Sequence, residues 1–224
     1  MAVTSKKPSV KRTVSRRSPD SAKHDAILKA ATRLFLKEGY SNTTMDAVAD
    51  AARVTKQTVY AHYKSKDELF TRMISDLCHK HTPSKTGLVE GQKIEAVLYQ
   101  IGVGFLNMLT SPDGVAALRL VVSEAKRHPR MAQLFYESGT QRMVTFLADI
   151  LKQYNKRGVL SVVNPESASS YFFAMLKGNY HIRMILCLKP VPTVKEKEAH
   201  VQETVRMFMA LYGGKNPLAT RGKL

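Results

Sequence analysis

Cysteine is nearly absent from this chain of 224 residues: only Cys78 and Cys187 occur, far apart. That spacing indicates no disulfide framework and fits a reducing cytoplasm best. Nowhere do about 18 apolar residues run together, so no membrane-spanning helix and no membrane partner are expected. The Lys-, Arg- and Ser-rich N-terminus leads into no apolar segment, which excludes a secretory signal. Acidic residues are scarce as well. The chain has 18 Asp and Glu against 35 Lys and Arg, a net charge of +17, and its pI is near 9.9. Such a field attracts polyanions, nucleic acid above all. The patterns that catalysis leaves are missing too. There is no Gly-rich phosphate loop, no Gly-x-Ser-x-Gly, no His-Glu-x-x-His and no paired-carboxylate motif. Neither an enzyme nor a cofactor is expected. Cys78-His79-Lys80-His81 invites a metal, but structural zinc takes four ligands and no second cluster stands at a suitable spacing.

What is present is helical periodicity. Ser18-Pro19 reads as an N-cap with proline at the first helical position. Ile27, Ala31, Leu34 and Phe35 then fall on one helical face, and Gly39 supplies a C-terminal glycine. Thr44 can cap a second helix, with Met45, Val48, Ala49 and Ala52 turned inward, and Thr55 a third. Ser65-Lys66-Asp67-Glu68 reads as a capping box for a fourth, whose inner face is Leu69, Phe70, Met73, Ile74 and Leu77. Residues 82–91 read as a connection. Further helices follow from Ile94, from Ser111-Pro112 to near His128-Pro129, from Met131 to Asn155, from Asn164-Pro165 to before Pro190, and from Thr193 to Tyr212. No alternating strand of useful length is visible. The expectation is an all-α chain of about nine helices. It divides into a disordered basic arm over 1–17, a helix-turn-helix unit over 18–66, and a helical effector-binding and dimerisation domain over 67–224.

The short segment from Thr55 to Tyr63 carries many exposed hydrogen-bonding side chains on very few residues. A helix that enters the major groove must present donors and acceptors rather than bury them. The stretch "ILKAATRLFLKEGYSNTTMDAVADAARVTKQTVYAHYKSKDEL" resembles the N-terminal DNA-binding domain of the TetR family of bacterial transcriptional regulators. The resemblance is carried jointly by Ala-x-x-Leu-Phe running to Gly-Tyr, Thr-Thr, Val-Ala-x-x-Ala, and Thr-x-Tyr-x-His-Tyr-Lys-Ser-Lys-x-x-Leu. It covers about residues 22–70. Further on, "SEAKRHPRMAQLFYESG" and "LKGNYHIRMILCL" resemble the AefR-like subgroup.

The resemblance implies phosphate contacts by Thr44, Tyr60, His62 and Lys66, and base reading by Lys56, Gln57, Thr58 and Ala61. It also implies a homodimer on a palindromic operator in double-stranded DNA, and a repressor released by a small-molecule effector. An effector-independent or architectural DNA-binding protein is the alternative, and a helical enzyme the more distant one. One departure stands out: Arg53 occupies the turn position where relatives carry glycine, so a left-handed backbone is expected there. Phe105, Met108, Met143, Phe146, Phe172 and Met175 are candidates for an effector cavity, although such residues also suit an ordinary core. Ser170, Ala174 and Gly178 form a small-residue stripe suited either to close helix packing across a dimer or to packing within one chain.

Overall fold

The computed structural model describes residues 19–81 and 91–214. The Ser18 cap, the basic arm and residues 82–90 of the connection lie outside that range. Within it the chain is helical throughout. Helix α1 spans Pro19–Asn42, α2 Met45–Ala52, α3 Lys56–His62, α4 Lys66–His81, α5 Ile94–Thr110 and α6 Pro112–Glu124. Then α7 (Pro129–Phe135), a π-helical turn (Tyr136–Gln141) and α8 (Arg142–Lys156) follow one another without a break. The last three helices are α9 (Pro165–Lys177), α10 (Tyr180–Ile185) and α11 (Val194–Tyr212). Counting 129–156 as one helix makes ten among the described residues. The extra one arises because the helix expected to run towards Pro190 stops at Gly178, whose φ of 40° and ψ of −136° lie outside helical space. The sole β feature there is an isolated bridge between Leu160 and Gly213.

The expected caps form. The Thr44 hydroxyl accepts from the Ala47 N–H at 3.1 Å and the Thr55 hydroxyl from the Thr58 N–H at 3.2 Å. The Ser65 hydroxyl accepts from the Glu68 N–H at 3.2 Å. The box at α4 closes differently from the expectation, because Glu68 accepts from the Lys64 N–H at 2.8 Å, one residue before the cap. At Gly39, with φ 87° and ψ 167°, the helical path of α1 is broken.

Two apolar cores result. One gathers Ile27, Ala31 and Phe35 of α1, Val48 of α2, Val59 of α3 and Leu69, Phe70 and Met73 of α4, and extends to Leu120 of α6 and Met131 of α7. Phe35, Tyr40 and Phe70 interlock there through stacked and edge-on rings 5.2–5.7 Å apart. The other core gathers α5, α8, α9 and α11 around Leu98, Leu147, Phe172 and Phe208. Helix α4 therefore begins inside the first core. Its far half, through Ile74, Leu77 and Cys78, walls a cavity at the edge of the second.

Candidate nucleic-acid interface

The turn between α2 and α3 is set by Arg53, whose φ of 58° and ψ of 44° are left-handed, as expected of a position that relatives fill with glycine. The Arg53 N–H bonds to the Asp50 carbonyl at 3.1 Å and the Val54 N–H reaches back to the Ala49 carbonyl at 3.1 Å. This pair of bonds is a Schellman closure. It satisfies the last carbonyls of α2 and starts α3 two residues later, at the Thr55 cap.

Helix α3 divides cleanly. Val59 is buried, as is Tyr63 just beyond the helix end, and both join the core of α1 and α2. Lys56, Gln57, Tyr60 and Ala61 are exposed on the other side. Thr58 is half-buried and shares its hydroxyl with that of Thr55 at 2.9 Å. Lys56 pairs with Asp46 of α2 at 2.8 Å, which raises the lysine pKa. Exposed pairs of this kind contribute little and are screened by salt, so a phosphate or base can displace Asp46 readily.

The four residues matched to phosphate contacts are placed unequally. Thr44 is exposed, with its hydroxyl engaged in the α2 cap, and Tyr60 is 43% exposed. His62 turns towards α1. Its side chain is 15% exposed and its Nε2 lies 3.4 Å from Asp20, while its ring meets His24 edge-on. Next to it, Tyr63 shares a hydrogen bond with His24 Nε2 at 2.8 Å, and burial pushes the Tyr63 hydroxyl up to about 12. Lys66 also points inward. Its ammonium donates to the Tyr40 carbonyl at 2.9 Å and sits 4.5 Å over the Tyr40 ring. It thus closes the carbonyl end of α1, where a cation is favoured.

The junction between this unit and the helices above it is polar. Tyr40 donates to Asp67, and Arg130 at the start of α7 lies 3.5 Å from the same carboxylate. Ser41 meets His128 at 2.5 Å. Sequence reasoning missed this cluster. The spacing of Arg130 from Asp67 carries no periodic signal, because it is created by the way α7 folds back.

Above the junction lies a cavity of about 210 Å³. Of the six candidates, Phe105, Met108 and Met143 line it; Phe146, Phe172 and Met175 do not. Phe172 is fully buried against Phe208 at 5.4 Å, and Phe146 and Met175 pack partly buried on the same core. The walls also include Lys177 and His181, polar positions that apolar periodicity does not mark, and the π-helical turn through Tyr136, Gly139 and Thr140. Arg142, immediately after that turn, donates to Ser75 at 3.2 Å and to His79 at 2.7 Å, bracing the turn against α4. Among the described residues no group of three or more His, Cys, Asp or Glu could hold a metal ion.

A capped α2, a tight left-handed turn and a short α3 with one buried and one exposed face define a helix-turn-helix DNA-binding unit carried on a larger helical domain. Comparison with known proteins fixes the family. The model for bacterial regulatory proteins of the TetR family matches residues 27–73, and that for the C-terminal domain of AefR-like transcriptional repressors matches residues 96–214. The chain belongs to the TetR family of transcriptional regulators. It is 26% identical over 192 residues to an uncharacterised helix-turn-helix regulator of Mycobacterium bovis, covering 84% of this chain and 88% of that one. It is 26% identical to YvkB of Bacillus subtilis, covering 76% and 88%. Among solved structures, a TetR-family regulator from Mesorhizobium loti is 28% identical, with a TM-score of 0.71 and coverage of 88% and 100%. The flavonoid-responsive regulator FrrA is 29% identical, with a TM-score of 0.67 and coverage of 87% and 99%.

Proposed function

We propose that this regulator is a cytoplasmic homodimeric repressor that leaves its operator when a small molecule fills the cavity. The observation that carries the reading is the outer face of α3, where Lys56, Gln57, Tyr60 and Ala61 stand exposed while Val59 anchors the helix from behind. Gln57 and Lys56 have the reach and the donors for base edges, and the Ala61 and Thr58 methyls suit a thymine methyl. Thr44 and Tyr60 supply phosphate contacts that set register. Lys66 and His62 serve first as positioning residues, holding α1 against α4 and against the end of α3. They reach phosphate only by giving up the Tyr40 carbonyl and Asp20. The basic arm over 1–17 adds sequence-independent attraction.

Dimerisation is supported by the outer faces of α9 and α11. Ser170, Ala174 and Gly178 are exposed, with Tyr171 58% and Met207 37% exposed nearby. Two copies joined there would offer two α3 helices to a palindrome. A small-molecule trigger is supported by the cavity and by the flavonoid response of a relative. Release would follow only if the ligand favours one spacing of the two α3 helices over another.

Selection from a random duplex library tests the reading. Enriched sequences should contain two inverted half-sites separated by about one helical turn. Enrichment of single, unpaired sites, or none at all, would overturn it.

A further inference from the structure

We propose that the cavity takes a small monocarboxylic acid with a compact apolar body, its carboxylate held by Lys177. This rests on the effector reading above and names the ligand's chemistry. The body of the cavity is apolar: Ile74 and Leu77 come from α4, Phe105 from α5, Leu118 from α6, Met143 from α8 and Phe173 from α9. Among the described lining residues none is Asp or Glu. The Cys78 thiol also lines it, and burial pushes that thiol up to about 11, so it stays neutral and offers no anion.

One residue with a formal charge lines the space. Lys177 is the last residue of α9, and Gly178 ends the helix directly after it. The chain turns back there, so that α10 returns His181 to the wall of the same cavity. Burial and the nearby Lys177 hold the His181 ring below its ordinary range. At neutral pH it is an uncharged imidazole with one N–H to donate. Lys177 makes no hydrogen bond or ion pair with a protein group among the described residues. A cationic ligand would meet this ammonium with no acid to offset it. A neutral one would leave the half-buried ammonium without a counter-charge. A carboxylate meets it with a charge-assisted bond.

Size narrows the class further. About 210 Å³ exceeds the roughly 150 Å³ that accommodates benzene, and falls short of the roughly 300–1,000 Å³ of sites for drug-sized ligands. One ring with a carboxyl group fits; a fused two- or three-ring system does not fit without repacking.

Calorimetric titration of the full chain with benzoate, benzamide and benzylamine tests this, using wild type, Lys177→Met and Lys177→Gln. Benzoate should bind wild type at least about tenfold more tightly than benzamide or benzylamine. Both variants should lose that preference while still binding benzamide, with thermal midpoints near wild type showing that they fold. If benzamide or benzylamine binds wild type as tightly as benzoate, the ligand class is wrong; if Lys177→Gln keeps the preference, Lys177 is not the anchor; either result overturns the proposal and leaves the effector reading standing. If none of the three binds wild type, and a wider set of apolar compounds of every charge also fails, the cavity is no effector site and both readings fall.

Discussion

An arginine sits in the left-handed turn between α2 and α3. A non-glycine residue with φ near 58° is strained, by about 1–2 kcal/mol for an ordinary side chain. Replacing it by glycine relieves that strain but frees the unfolded chain, which costs about 0.4–1 kcal/mol. The first effect is larger, so Arg53→Gly should be modestly more stable. Its urea midpoint should rise with an unchanged slope; a fall would show that the turn is not strained. The residue's conformation was legible beforehand because relatives place glycine there. The inward turn of Lys66 and His62 was not. His62 ends α3 and Lys66 begins α4, both at positions that read as surface, and the partners of Lys66 and His62, the Tyr40 carbonyl and Asp20, lie 26 and 42 residues earlier in the sequence. Pairing over such distances leaves no periodic trace.

At the scale of helices, caps and faces were readable because both depend on neighbours within one turn. Thr44, Thr55, Ser111, Asn164 and Thr193 all cap as their residue types suggest. The π-helical turn and the stop at Gly178 were not readable. Apolar periodicity continues through both, and it is packing that decides where the hydrogen-bond ladder slips. For the same reason only half of the expected cavity residues line it: periodicity tells which face is inward, not which inward residue borders a void. Close packing also explains a glycine inside α5. A Cβ on Gly102 would stand 2.7 Å from Val201 Cγ1 of α11, a branched side chain with little freedom to move. Overpacking costs about 1–3 kcal/mol, while alanine's better helix propensity returns about 1 kcal/mol. Gly102→Ala should therefore lower stability by about 1 kcal/mol in urea unfolding. A gain would mean that α5 and α11 part easily.

For the molecule as a whole, pH acts through three histidines. His79, His81 and His181 are held below their ordinary value of 6.5, in each case first by burial and then by nearby cations: Arg142 and Arg72, Lys80 and Lys197, and Lys177. The unfolded chain regains the ordinary value, so below it the unfolded state binds more protons than the folded one. Their contribution is complete above the unfolded value and is lost as pH falls through the folded ones. Paired carboxylates such as Glu166 and Glu203 are lowered from 4.5 and act only in more acidic solution. The thermal midpoint should therefore drop between about pH 7.5 and about pH 5.5. A flat or rising profile would mean that these rings are hydrated and free of the neighbouring cations.

The central claim is that the outer face of α3 reads DNA sequence while the surrounding groups only position it. The most direct measurement compares complete base-preference profiles of wild type and Gln57→Ala on the selected operator. Gln57 is exposed on the outer face of α3, one residue into the helix. Its loss should relax preference at one or two base pairs in each half-site, with about 1–3 kcal/mol lost on the preferred base. Tyr60→Phe, measured alongside, should weaken every sequence alike. A Gln57→Ala profile identical to wild type at every position would contradict the assignment of α3 as the reading helix in this register.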